Sequence, residues 1–397
     1  MSAKRILIAT EATLGMGHKR AAEALKIAIE REAPDSEVAL TTALVPQAEA
    51  LFNHLYGQAL SHMPYVWGAA YASERVTSTL FKHAFGMRAL SRARSIVEHL
   101  NPDIVITTHA LSVPAFARLK RQYPFFLAVA VTDFDANGFW INRRRVDRYF
   151  VAHAEVAARI SRRYRLPLTR FVPSGIPIDP LFADPALEMK AKGLRRALQI
   201  PADEPLIVLM GGGEGLLDMA ALIQALDALP NPFVLTAVTG RNAALRAALE
   251  RLNDERRLRH RLIVRGYVTD APVWLAAADI IFTKPGGLTL SEVLALGKPA
   301  VLFQPIPGQE TRNVRFIMKH GAALLAPDID EAAAKLRTLL CDPAERNALS
   351  ARARALGKPD AAREIVRTLF ASTTARTAPV VDARAGHRRR STTGSNA

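Results

Sequence analysis

The sequence predicts an α/β protein built from two doubly wound domains facing across a cleft, and three observations carry that reading. Strand-like runs alternate with helix-like runs from one end of the chain to the other. The strand-like runs are continuous stretches of Val, Ile and Leu, not apolar–polar alternations, which suits strands buried on both faces of a parallel sheet. Midway, the run VPSGIPIDPLFADP at 172–185 places four prolines and a glycine between two such series, the composition of a linker. A chain of 397 residues is long enough for two compact cores.

Taken in order, the first series of strands is read at Arg5–Thr10, Glu37–Thr42, Asp103–Thr108, Phe125–Thr132, Arg148–Ala152 and Thr169–Val172, with a helix from His18 to Arg31 after the first. The second series is read at Leu206–Gly211, Phe233–Thr239, Leu262–Tyr267, Ile280–Thr283, Ala300–Phe303 and Ala322–Leu325. The expected units are residues 1–175, residues 176–370, and a basic tail at 371–397 whose Thr, Ala, Arg and Ser composition reads as disordered. One segment departs from the pattern. Between Pro46 and Leu100, Phe52, Tyr56, Tyr65, Trp67, Tyr71, Phe81 and Phe85 are interleaved with Arg75, Lys82, Arg88, Arg92 and Arg94. Such a mixture fits either ordinary core or an amphipathic element lying in a membrane interface, with rings at headgroup level and cations on phosphates.

Charge narrows the partners. Lys and Arg number 53 against 37 Asp and Glu, a net +16. Residues 1–175 hold 23 basic and 14 acidic side chains (+9), residues 176–370 hold 25 and 22 (+3), and residues 371–397 hold 5 and 1 (+4). An excess in the first half suits an anionic partner, whether nucleic acid, a membrane surface or a phosphorylated substrate, or else a solvated arginine-rich surface. No recognition helix or nucleic-acid module is present, so no nucleic acid is expected. Cys341 is the sole cysteine, which excludes an internal disulfide, and no Cys/His cluster has metal-ligand spacing. A reducing, cytoplasmic compartment and no metal follow as expectations. No apolar stretch reaches about 18 residues, so no bilayer-spanning helix is expected, and MSAKRILIATEA lacks the core of a signal peptide.

Three strand-to-helix turns carry chemistry. The turn at 10–20 fails both the phosphate-loop spacing and the three-glycine dinucleotide fingerprint. Gly15 and Gly17 still let backbone approach a ligand, and His18 at the helix start is placed either to cap that helix or to act as a general base. Gly211-Gly212-Gly213 opens another helix, where backbone amides make an anion site. At 283–292, Gly286, Gly287 and the helix N-terminus can hold a pyrophosphate, Lys284 adds a full positive charge, and Glu292 can accept both hydroxyls of a ribose. The next loop brings Gln309, Glu310 and Asn313, whose amide and carboxylate groups suit sugar hydroxyls.

At these residues the chain resembles the monogalactosyldiacylglycerol synthase and processive diacylglycerol glucosyltransferase family, inverting transferases of the two-domain GT-B architecture. The likeness covers about residues 4–370, through GMGHKRAAEAL (15–25), VTDFDANGFW (131–140), DRYFVA (147–152), SGIPIDPLF (174–182), MGGGEG (210–215), GYVTDAPVWLAAADIIFTKPGGLTLSEVLALGKP (266–299) and PIPGQETRN (305–313). A more distant relative is the lipid-linked N-acetylglucosaminyltransferase of peptidoglycan synthesis. The resemblance implies transfer of glucose or galactose from a UDP-sugar to diacylglycerol or a glycosyl-diacylglycerol, or alternatively to a polyprenyl-linked or other lipid. It implies no cofactor and peripheral attachment to an anionic cytoplasmic membrane face. His18 is then the group that deprotonates the acceptor, with Asp133 orienting it or serving as the base itself. Gly15, Gly17 and Trp140 belong to the acceptor side. Lys284, Gly286, Gly287, Leu288 and Thr289 hold the diphosphate, with Gly211, Gly212 and Gly213 also on the donor side. Glu292 holds the ribose, the backbone of Gly266 and Val268 the uracil, and Gln309, Glu310 and Asn313 the sugar. Two departures stand out: Leu14 and Met16 interrupt the usual glycine run, and Asn137 stands where the family usually has a histidine, which speaks against a second imidazole in the chemistry.

Overall fold

The computed structural model describes residues 3–11, 16–43, 89–213, 215, 217–255, 258–306 and 308–377. Gly15, the aromatic-basic segment up to residue 88 and the tail from 378 lie outside them.

The first sheet holds β1 (Arg5–Thr10), β2 (Glu37–Thr42), β3 (Ile104–Thr107), β4 (Phe126–Ala130), β5 (Arg148–Phe150) and β6 (Phe171–Val172) in the order β2-β1-β3-β4-β5-β6. The second holds β7 (Leu206–Met210), β8 (Val234–Val238), β9 (Arg261–Arg265), β10 (Ile280–Thr283), β11 (Ala300–Phe303) and β12 (Leu324–Ala326) in the order β12-β11-β10-β7-β8-β9. Every pairing is parallel. Strands such as β3, β4, β7 and β10 are buried along their whole length, as their unbroken Val/Ile/Leu composition requires. In a doubly wound sheet the order reverses at one point, and the loops leaving the carboxyl ends of the two strands there form the ligand crevice. In the first sheet that point lies between β1 and β3, and in the second between β7 and β10.

Several strands are shorter than the sequence predicts. Thr108 and Thr132 stand beyond the ends of β3 and β4, although the Thr108 amide still bonds to the Ala9 carbonyl at 3.0 Å; Leu168–Arg170 is a short 3-10 turn ahead of β6.

The expected boundary of the second unit at residue 370 is corrected by the helix Ala361–Thr377. Its Ala362, Ile365, Val366, Leu369 and Phe370 recur at helical spacing and pack with Ile6, Ile8, Ile104, Ile106 and Ala128. This face of the first sheet is apolar and needs a cover, which the helix Met16–Glu32, through Ala22, Leu25, Ala28 and Ile29, and the helix Ala361–Thr377 supply together. The helix also continues through Thr377, so the stretch expected to be a disordered tail begins with helix. Among the described residues no helix is long and apolar enough to cross a membrane.

Candidate functional site

His18 lies in the first turn of the helix Met16–Glu32, which buries Ala21, Ala22, Leu25, Ala28 and Ile29 along one stripe and so fixes its start above β1. Its Nδ1 is 3.0 Å from the carbonyl oxygen of Thr108 and 2.7 Å from the hydroxyl of Thr132. A carbonyl can only accept, so Nδ1 carries the proton and Nε2 keeps its lone pair. Thr108 also donates its hydroxyl to the His18 carbonyl at 3.1 Å. Burial lowers the imidazole from 6.5 to about 4, against the opposing hydrogen bond to Thr108, so the ring is neutral at pH 7. His109 packs edge-on at 4.4 Å between ring centroids, and Trp140, 3% exposed, stands at 6.0 Å. His109 is itself held well below its ordinary value, first by burial and then by His18. A second imidazole is therefore beside His18 after all, supplied by the loop after β3 in place of position 137.

Asp133 does not reach His18 as expected. Its Oδ1 accepts from the Gln309 side-chain amide at 2.8 Å and from that of Asn313 at 3.4 Å, both in the opposite domain. Burial raises its carboxyl from 3.8 to about 6, opposed by these amide bonds and reinforced by Glu310 and Asp135. The groups that orient His18 are the two threonines, because β3 borders the switch point, β4 lies next to it, and the two threonines follow these strands.

Across the cleft the second-domain residues gather at the facing switch point. Gly212 adopts φ +78°, and a Cβ on Gly213 would lie 2.5 Å from the Met16 side chain, so the glycine turn touches the start of the His18 helix. Gly211 is buried at the end of β7. The helix Gly287–Leu296 opens against the first domain: a Cβ on Gly287 would stand 2.1 Å from the Thr132 carbonyl, while one on Gly17 would meet Leu288 at ordinary contact distance. Thr289 lies in the same first turn. Lys284 is 7% exposed, its Nζ 3.5 Å from Glu310 Oε1, and Glu310 Oε2 accepts from the Ile306 amide at 2.6 Å. Burial pulls the Lys284 ammonium down and pushes the Glu310 carboxyl up, and their mutual attraction opposes both shifts.

Glu292 is 1% exposed, and one carboxylate oxygen takes the Arg20 guanidinium at 2.9 Å while the other is buried without a hydrogen-bond partner. Its carboxyl is pushed up by burial, with Arg20 opposing. Asn313, expected at the donor sugar, bonds protein groups of both domains. It is fully buried, accepting from the Phe134 amide at 2.9 Å and donating to the Pro285 carbonyl at 3.0 Å, so its amide clamps the two domains together. Gly266 and Val268 follow β9, two strands from the switch point; Gly266 lies beside Arg246, and Val268 packs against core. Thr108, Thr132, His109 and Arg20 were not among the residues singled out in the sequence. Their signal is positional: Thr108 and His109 end the strand beside β1, Thr132 precedes Asp133, and Arg20 is two residues past His18. No group of three or more metal-ligating side chains occurs among the described residues.

Residues 18–178 match the monogalactosyldiacylglycerol (MGDG) synthase family model, and residues 191–356 that of glycosyl transferases group 1. The processive diacylglycerol beta-glucosyltransferase of Bacillus mycoides (strain KBAB4) is 32% identical over 283 residues, 70% of each chain. That of Bacillus cytotoxicus is 28% identical over 384 residues, 94% of this chain and 95% of its own. Among solved structures, Acinetobacter baumannii MurG aligns with a TM-score of 0.62 at 18% identity, covering 93% of this chain and 99% of its own. Anabaena HepE in complex with UDP-glucose aligns at 0.55 and 13%, covering 93% and 100%, and a UDP-N-acetylglucosamine 2-epimerase at 0.59 and 17%, covering 95% and 98%. These structural likenesses establish the GT-B fold of two facing parallel sheets. With the sequence matches, they place the chain in the monogalactosyldiacylglycerol synthase and processive diacylglycerol beta-glucosyltransferase family of glycosyltransferases.

Proposed function

We infer that the protein moves a hexose, glucose or galactose, from a UDP-sugar to diacylglycerol or a glycosyl-diacylglycerol, with inversion at the anomeric carbon. The observation that carries this reading is the neutral His18, its Nε2 unprotonated, at a switch point facing the Lys284–Gly287 loop of the other domain. His18 Nε2 takes the proton of the acceptor hydroxyl as that oxygen attacks C1. The bond from C1 to the phosphate oxygen breaks on the opposite face, and UDP leaves with the bonding pair, so an α-linked donor yields a β-glycoside.

An imidazole at about 4 is a weak base, and a diphosphate brought into the cleft raises it toward neutrality by supplying nearby negative charge. Developing charge on UDP meets Lys284, the amides of Gly287 and Leu288, and the positive end of the helix Gly287–Leu296, so the reading calls for no metal or cofactor. Glu292 offers its unpartnered oxygen to the ribose hydroxyls, and the backbone of Gly266 and Val268 receives the uracil. Gln309 exchanges its bond to Asp133 for one to the sugar.

The excess of +9 on the first 175 residues supports docking on an anionic membrane at its cytoplasmic face, with binding that weakens as salt rises. The test is UDP release from UDP-glucose or UDP-galactose in the presence of dioleoylglycerol vesicles. Release that depends on the vesicles is expected; none with either donor would overturn the reading. Radiolabelled donor identifies the product, and label in a polyprenyl lipid would replace diacylglycerol as the acceptor.

A further inference from the structure

Thr132 occupies a singular position. Its hydroxyl oxygen is 2.7 Å from His18 Nδ1 within the first domain, while its own carbonyl lies where a side chain on Gly287 of the second domain would have to go. The next two residues are bound to that domain as well: Asp133 through the Gln309 and Asn313 side-chain amides, and Phe134 through its backbone amide to Asn313 Oδ1. Asn313 in turn donates to the carbonyl of Pro285, inside the Lys284–Gly287 loop. A continuous line of short contacts thus runs from that loop through residues 132–134 to the imidazole.

We propose that Thr132 is a positioning residue that sets His18 only when the two domains are closed on each other. The Thr108 carbonyl holds the proton on Nδ1, and the Thr132 hydroxyl gives that N–H a second acceptor, which fixes the ring plane; His109 packs edge-on against the ring. Since the backbone of Thr132 is seated on Gly287, separating the domains frees residues 132–134 and removes one of the two acceptors. The base is thereby assembled at the moment the donor loop arrives, and an open molecule holds an imidazole with one acceptor on Nδ1 and a looser ring plane. Low sensitivity to water follows, because a donor sugar bound to an open cleft meets no oriented base.

The proposal rests on His18 being the base, so its test includes a reading that needs no activity. In protein labelled with ¹⁵N-histidine, the ring-nitrogen signals of His18, assigned by their loss in His18→Gln, report the tautomer directly. The wild type is expected to show a protonated Nδ1 and an unprotonated Nε2. Thr132→Val should leave the proton on Nδ1 but shift and broaden the ring-nitrogen signals as the ring plane loosens, and lower kcat about 10- to 100-fold, the usual consequence of a misoriented group. KM for the UDP-sugar and the affinity for UDP should stay within about twofold, and Thr132→Ser should restore the wild-type signals. Gly287→Ala, in the other domain, should disturb the same His18 signals by forcing the Thr132 carbonyl away; it carries the test if Thr132→Val fails to fold. A wild type protonated at Nε2, or variants whose His18 signals match the wild type, would overturn the proposal. Inactivity of every form with the tautomers as stated would instead overturn the transferase reading and leave the positioning intact.

Discussion

The two walls of the cleft are built on opposite electrostatic principles. The first-domain wall presents neutral rings, His18, His109 and Trp140, with the imidazole oriented by a backbone carbonyl and a hydroxyl. The second-domain wall presents full charges, and those charges are already paired: Lys284 with Glu310, and Glu292 with Arg20 from across the cleft. A neutral wall suits proton transfer, because burial keeps the base unprotonated. A charged wall suits a diphosphate, and its internal pairing explains how Lys284 and Glu310 remain buried without a ligand. Binding an anionic donor therefore has to exchange one partner for another on the second wall, while the contacts that hold the His18 ring need not change.

This contrast breaks most visibly at His18. His18→Ala is expected to lower the rate of UDP release by about 10²- to 10⁴-fold while calorimetric titration finds UDP affinity unchanged; a loss of UDP affinity instead would place the imidazole on the donor. Opposite pH slopes give the next largest effect. The Asp133 carboxyl is raised from 3.8 to about 6, so the folded state holds a proton that the unfolded state has released, and stability falls as pH rises through that window. His18, lowered from 6.5 to about 4, works the other way, and its contribution rises with pH across its own window. Asp133→Asn removes the falling component. Urea unfolding should show the variant gaining on the wild type by up to about 3 kcal/mol between pH 4 and 6, and a constant difference would mean that Asp133 ionises normally.

Lys284→Met tests the charged wall alone. UDP affinity should fall about 10- to 100-fold, as for loss of a hydrogen bond to a charged group, with the ring signals of His18 unaltered. Smallest is the rim, where Glu155 meets Lys319 and His320 across the domains in half-exposed positions. Glu155→Gln should change unfolding stability by less than about 1 kcal/mol, separating solvent-screened contacts from those inside the cleft.

Most of the fold is legible in the sequence, because central strands such as β3, β4, β7 and β10 are buried on both faces and leave unbroken apolar runs. The loops of the second wall were legible for a related reason: Gly286, Gly287 and Lys284 lie together in one short turn. The first wall was not. His18 and Thr108 are 90 positions apart and His18 and Thr132 are 114 apart, and one of the contacts is to a carbonyl, which any residue type would offer. The clamp made by Asn313 was hidden for a similar reason, since an amide suits a sugar hydroxyl and a backbone clamp equally well. The cover of the first sheet was hidden too. The stripe of Ile365, Val366, Leu369 and Phe370 announces an amphipathic helix without saying which of two sheets it will cover.

That last helix has a consequence for how the molecule comes into being. On a ribosome adding about 5–20 residues per second, roughly 190 residues separate the end of β6 from the start of the helix at Ala361, an interval of about 10–40 s. Throughout it the outer face of the first sheet, with Ile6, Ile8, Ile104 and Ile106, has no partner from the C-terminal end of the chain. The domain that starts first is thus the one that finishes last, and a chain halted in its second half carries a sheet face covered only in part, by the helix Met16–Glu32, a mark by which quality control can recognise an incomplete product.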